Sequence, residues 1–199
     1  MPGEHRTGFR NVFRTLRYRN YRLFFCGQLV SLTGTWMQQI AMTWLVYRLT
    51  GSAFLLGIVG FASQMPSLLL SPFAGVLADR VNRHRLVIAT QVLAMVQASV
   101  LAILTLTGTV SVWEIIVLSV FLGFVTAFEI PARQSFLLEM IESKEDLGNS
   151  IAVNSPMFNG ARLLGPSIAG LVIAAFGEGV CFLFNALSFI AVIVALLVM

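Results

Sequence analysis

Two apolar runs, residues 54–78 and 86–107, are separated only by the short charged segment Asp79-Arg80-Val-Asn-Arg83-His-Arg85. A helix needs about 20 consecutive apolar residues to cross the hydrocarbon of a bilayer. The two runs therefore read as antiparallel spans joined by a tight turn. Arg80, Arg83 and Arg85 in a loop this short mark it as cytoplasmic and fix the orientation of its neighbours. Gly75 and Asp79 lie four residues apart on one helical face. A glycine there permits another helix to approach, and a carboxylate at the membrane boundary requires a partner.

The pattern repeats along the chain, giving expected spans at residues 23–47, 54–78, 86–107, 112–131, 150–176 and 180–199, with 23–199 forming one six-helix bundle. Hydrophobic residues make up 57% and charged residues 11%, against roughly 25% charged in soluble domains. The net charge of +4 does not point to nucleic acid, because the basic residues flank apolar runs instead of lining one face. Residues 1–22 read as a basic N-terminal segment. Phe9, Val12, Phe13 and Leu16 have amphipathic spacing among arginines, which predicts an interfacial helix with the N-terminus in the cytoplasm. The segment leads directly into the first span, without the pattern of a cleavable signal. An even number of crossings also places the C-terminus in the cytoplasm. Cys26 falls near the inner end of the first span and Cys181 near the outer end of the sixth, so about 30 Å of hydrocarbon keeps them apart as free thiols.

Two spans are unusually polar. Gln28, Ser31, Thr33, Thr35, Gln38, Gln39 and Thr43 interrupt the first, so much of it must face protein or water. Gly27, Ser31 and Thr35 make a small-residue row suited to close packing, as do Ser67, Ser71 and Gly75 in the second span, which Pro66 and Pro72 should bend. Gln38 is a candidate for a substrate cavity. Trp36 and Trp44 could stack on a flat substrate, although Trp44 beside Tyr47 also fits an outer aromatic belt. The fifth span contains Asn159 and Arg162. A central arginine costs about 2.5–3.5 kcal/mol on insertion scales, so Arg162 should face the bundle interior or a watery cavity. Glu129 ends the fourth span on the same side as Arg83. Four residues along the same helix, Arg133 is a local partner for it.

The motif G-x-L-A-D-R-x-x-R, here Gly75 to Arg83, resembles the loop between the second and third helices of major facilitator superfamily transporters. The resemblance implies a cytoplasmic gate latch built from Gly75, Asp79 and Arg83, with Arg80 inside the motif and Glu129 paired to Arg83. A positive-inside loop with no moving part is the plainer alternative. Asn82 stands where the family usually has glycine, and asparagine tolerates left-handed backbone. Gly165-Pro166-x-x-Ala169-Gly170 resembles the G-P-x-x-G-G element of the antiporter branch, which kinks the fifth helix and seals it against leak. Ala169 replaces a glycine, and Gly160 is one residue out of register. Arg19-Asn20-Tyr21-Arg22, Gly34-Thr35-Trp36-Met37-Gln38, Pro131-Ala-Arg-Gln134 and Asn159-Gly-Ala-Arg162 are similar to bacterial exporters of the enterobactin-exporter and macrolide-efflux type.

The resemblance implies an all-α membrane protein of six transmembrane helices in a 3+3 inverted repeat, half of a twelve-helix fold in the bacterial plasma membrane. Its implied activity is proton-coupled export of small amphipathic molecules, with a second six-helix half as partner. A truncated, non-transporting fragment is the alternative. An enzyme is not expected, since His5 and His84 lie outside the spans and no acid pair sits at membrane depth. Neither cofactor nor metal is expected.

Overall fold

In hydrocarbon every backbone N–H and C=O must be satisfied within the chain, which leaves the helix as the available form for these spans. The structure, a computed structural model, describes residues 19–139 and 144–199, with side chains for 22–78, 80–137 and 156–199. The expected interfacial helix at residues 9–16, the Asp79 side chain and the charged side chains of residues 139–146 lie outside that description. The described residues form six helices: α1 (Arg19–Thr50), α2 (Ala53–Arg80), α3 (Arg83–Leu106), α4 (Val112–Glu139), α5 (Lys144–Phe176) and α6 (Glu178–Leu197).

Five helices are long and apolar enough to cross a membrane: Ala53–Ala78, Arg83–Leu106, Val112–Leu137, Pro156–Phe176 and Glu178–Leu197. At 32 residues α1 has the length but not the apolarity. Its polar residues explain the difference, and the fold shelters several of them, since Gln28, Ser31 and Gln38 are buried. α4 continues past the expected end of its span, through Pro131 to Glu139. Asn82 also differs from expectation. Its φ of −65° is not left-handed, and its side chain caps α3 by accepting the Arg85 N–H at 3.0 Å.

The connections at the opposite end of the bundle turn on glycines 51, 108 and 177, at φ values of 63°, 71° and 84° that other residues rarely adopt. α4 starts with half of a capping box, in which Glu114 Oε2 accepts the Ser111 N–H at 2.7 Å. Arg48 closes this end with a forked ion pair, Nε and Nη2 donating to the two carboxylate oxygens of Glu178 at 2.8 and 3.1 Å. Trp44 and Tyr47 lie beside it, exposed and in mutual contact, as an interfacial belt would be. Cys26 and Cys181 are both free.

α3 and α6 pack together at the centre, α1 lies against α6 and α5, and α4 lies against α3 and α2. Lipid tails are as apolar as leucine, so helices in a bilayer associate through close packing and buried polar contacts. Three glycines provide that closeness. A Cβ on Gly34 would lie 2.6 Å from Ser188 Oγ, one on Gly165 would lie 2.5 Å from Trp36 Cβ, and one on Gly123 would lie 2.5 Å from the Ser63 carbonyl oxygen. Gly75 behaves otherwise. A Cβ there meets nothing within 4 Å, so the close approach expected at the Ser67, Ser71 and Gly75 stripe is not made within this bundle. α2 instead turns Val59, Pro66, Ala74 and Ala78 inward.

Gly123→Ala should therefore lower the thermal stability of the detergent-solubilised chain, by about 1–3 kcal/mol, because the group it meets is backbone and cannot rotate away. Gly60→Ala, where a Cβ has open space, should leave stability unchanged or slightly raised. Melting temperatures of the two variants measure the contrast.

Candidate functional site

At mid-height three central helices are tied by side-chain amides. Gln38 of α1 donates from Nε2 to Gln97 Oε1 of α3 at 2.9 Å and accepts from Asn185 Nδ2 of α6 at 2.8 Å. Ser188 donates to the Asn185 carbonyl oxygen at 2.7 Å and to its Oδ1 at 3.2 Å. All four residues are buried. The Gln97 Nε2 is buried with no partner among the described residues. Gly34 makes room for this cluster, since any side chain there would enter the space of Asn185 and Ser188.

α1, α2 and α5 each carry an exposed or half-exposed polar face. On α1 the face is Thr35, Gln39 and Thr43; on α2 it is Gln64, Ser67, Ser71 and Gly75; on α5 it is Asn159, Arg162, Pro166 and Gly170. Their spacings of three and four residues put each set on one side of its helix. The hydroxyls of Thr35, Thr43 and Ser71 are spent on their own helices, donating to the carbonyls of Ser31, Gln39 and Ser67. The side chains of Gln39 and Gln64, by contrast, have no hydrogen-bond partner among the described residues. Both line a cavity of about 160 Å³ between α1, α2 and α4, with Gln38 and Asn185 at its inner wall and Thr126 beside them. Gln38 thus reaches the cavity but has both amide atoms engaged. Its neighbour Gln39 presents the unspent amide.

α5 extends this wall on the far side of α1. Met157, Ala161, Gly165 and Ala169 form its buried stripe, spaced four residues apart. Gly165 lets the α1 backbone close in at Thr33 and Trp36. Trp36 is held edge-on to Phe158 at 5.9 Å, and Arg162 places its guanidinium carbon over the Trp36 ring, 5.5 Å from the centroid. The opposite flank of α5 is apolar, with Leu164, Ile168 and Val172 facing a groove of about 580 Å³ shared with α1 and α6. Gly170, in the second half of the kink element, has nothing within 4 Å of its Cβ position.

The charged cluster lies at the α2–α3 end. Arg80 is exposed in the last turn of α2, and Arg83 opens α3 half-buried. Glu129 is met by Arg133 Nε at 3.7 Å, the local alternative read from the sequence, and by Gln91 Nε2 at 3.3 Å. His84 spans to α6, its Nε2 2.8 Å from the Leu196 carbonyl oxygen and its ring against Phe136. Sequence reasoning singled out neither Gln97 and Asn185 as a bridge nor Gln64 as part of the wall. A usable signal was present, namely solitary amides at similar depths in otherwise apolar spans, each of which needs a partner.

Replacing Gln38 by Leu strands the Asn185 donor and the Gln97 acceptor in the interior, and should cost about 1–3 kcal/mol. Gln39→Ala, at an exposed and unpaired amide, should change stability by no more than about 0.5 kcal/mol. Thermal unfolding in detergent separates a structural amide from one left free for another role.

Residues 11–199 match the model of a family described as transmembrane secretion effector. The chain is 32% identical to the staphyloferrin A transporter of Staphylococcus aureus over 88% of its length and 44% of the relative's. It is 29% identical to a multidrug efflux pump of Mycolicibacterium fortuitum over 75% of its length and 37% of that protein's. With macrolide efflux protein A of Streptococcus pyogenes it shares 26% identity over 78% of its length and 39% of the relative's. The chain thus spans less than half the length of the curated relatives it matches, all of them transporters and none an enzyme. With its apolar helices, its buried amide bridge and this match, the chain belongs to the transmembrane secretion effector family of major facilitator transporters.

Proposed function

We propose that the chain is the N-terminal half of a proton-coupled exporter of small amphipathic molecules, working by alternating access in the bacterial plasma membrane. One observation carries the reading: the exposed polar faces of α1, α2 and α5. Amides and a guanidinium at membrane depth cannot rest in hydrocarbon, and a water-filled path between two six-helix halves is where such faces belong. The match of this chain to less than half of each relative fits a second half as the cover. The relatives' printed activities, siderophore transport and drug efflux, support a small-molecule cargo.

The helix arrangement supports a 3+3 repeat. Exchanging α1 with α4, α2 with α5 and α3 with α6 maps each of the five most extensive pairings onto another of them or onto itself. The exposed faces of α2 and α5 share one spacing, residues 64, 67, 71 and 75 against 159, 162, 166 and 170. In this reading the domain is residues 23–199, with both termini cytoplasmic, an orientation that the arginines around residue 83 support. Gly75, Asp79, Arg80 and Arg83 form the cytoplasmic latch with Glu129, and the open space at Gly75 is where a helix of the other half would close. Gly165, Pro166 and Gly170 form the sealing kink. Gln38, Trp36, Asn159 and Arg162 belong to the substrate cavity.

The rival reading, a half-unit that does not transport alone, is separated by an accumulation assay. Cells making residues 1–199 should retain a fluorescent drug as control cells do, and supplying a second six-helix half should lower its accumulation. No change with both halves present would discard the exporter reading. In the two-half transporter Asp79→Asn should slow efflux severalfold with membrane insertion intact. Full efflux in that variant would remove the latch from the mechanism.

A further inference from the structure

We propose that Arg162, stacked on Trp36, is the anion-binding element of this wall, so that the molecule it takes is an amphipathic organic acid, a carboxylate or sulfonate. The inference rests on the cavity reading above and adds the sign of the ligand's charge.

Arg162 stands near the middle of its expected span, as Trp36 does of its own, more than ten residues from either end. The apolar stretch of α5 runs Pro156–Phe176, which puts Arg162 about 9 Å inside its start at 1.5 Å of rise per residue. Among the described residues no carboxylate pairs with Arg162; the ion pairs there are Arg48 with Glu178 and Arg133 with Glu129. Among the described residues its specific interaction is with the Trp36 ring. A cation held over a ring face is positioned but not neutralised. The guanidinium's N–H donors make no hydrogen bond among the described residues, and their planar fork matches an oxyanion in two-pronged fashion.

The mount is rigid. Gly165 seats the base of the Trp36 side chain against α5, and Phe158 meets the indole at 76°. Arg162 is exposed, on the same face as Asn159 and Gly170 and away from the apolar groove on the other flank of α5. A charge turned toward the exposed side, held over an aromatic plate and with no counter-ion among the described residues, selects an anion and repels a cation.

The test uses the purified chain in neutral detergent and three probes with one aromatic body: 1-naphthoate, 1-naphthylmethanol and 1-naphthylmethylammonium. Binding is followed by calorimetry, which does not depend on transport. Naphthoate should bind about tenfold more tightly than the alcohol, and the ammonium more weakly than either. Arg162→Gln should abolish the preference while binding of the alcohol persists. Arg162→Lys, a second variant that keeps the charge, should retain the order of the probes with a smaller gap. Equal binding of the three probes by the unaltered chain overturns the proposal, as does a preference that survives in Arg162→Gln. Failure of export in cells with both halves present would instead count against the exporter reading. Efflux of cationic drugs from such cells, with no anion preference in vitro, would leave the exporter reading standing and remove the anion site.

Discussion

Inside a bilayer a helix gains nothing from leaving water that it has not already gained from entering lipid, so close contact and buried polar bonds must hold the bundle together. The Gln38 amide concentrates both. Through its oxygen and its nitrogen it joins α6 and α3 to α1, across 147 and 59 residues of chain. Gly34, one turn earlier on α1, lets α6 come near enough for those bonds to form. Without that glycine the bridge would have no room, and without the bridge three buried helices would carry unpaired amides.

The remaining helices are arranged around this centre according to how much of each is enclosed. The membrane-spanning windows of α3 and α6 are 44% and 50% buried, that of α2 only 11%. α2 and α5 each lean chiefly on one neighbour, at Gly123 and Gly165 respectively, and each keeps a polar face turned outward. α2 meets α4 over the most extensive helix pairing in the bundle, whereas α3 and α6 are packed on several sides.

The ionic contacts are divided between the two ends of the bundle. The Arg48–Glu178 fork ties α1 to α6 at one end, while Glu129, Arg133 and Gln91 join α4 to α3 at the other. Arg162 belongs to neither set. Among the described residues its company is aromatic, the Trp36 ring 5.5 Å away.

The sequence alone determined what depends on local chemistry and periodicity: that the chain lives in a membrane, that α1 carries polar residues in need of shelter, and that the two cysteines stay free. It also marked Trp36, Gln38 and Arg162 as residues out of keeping with lipid. Tertiary structure alone decided the partners. The periodicity of a helix says which residues share a face but not which helix that face meets. A residue facing lipid and one facing protein are equally apolar, so burial leaves little trace in composition. Hence the Gln38–Gln97–Asn185 bridge, the choice of Gly34, Gly123 and Gly165 over Gly75 as packing seats, and the placing of Arg162 on Trp36 appear only once the helices are assembled.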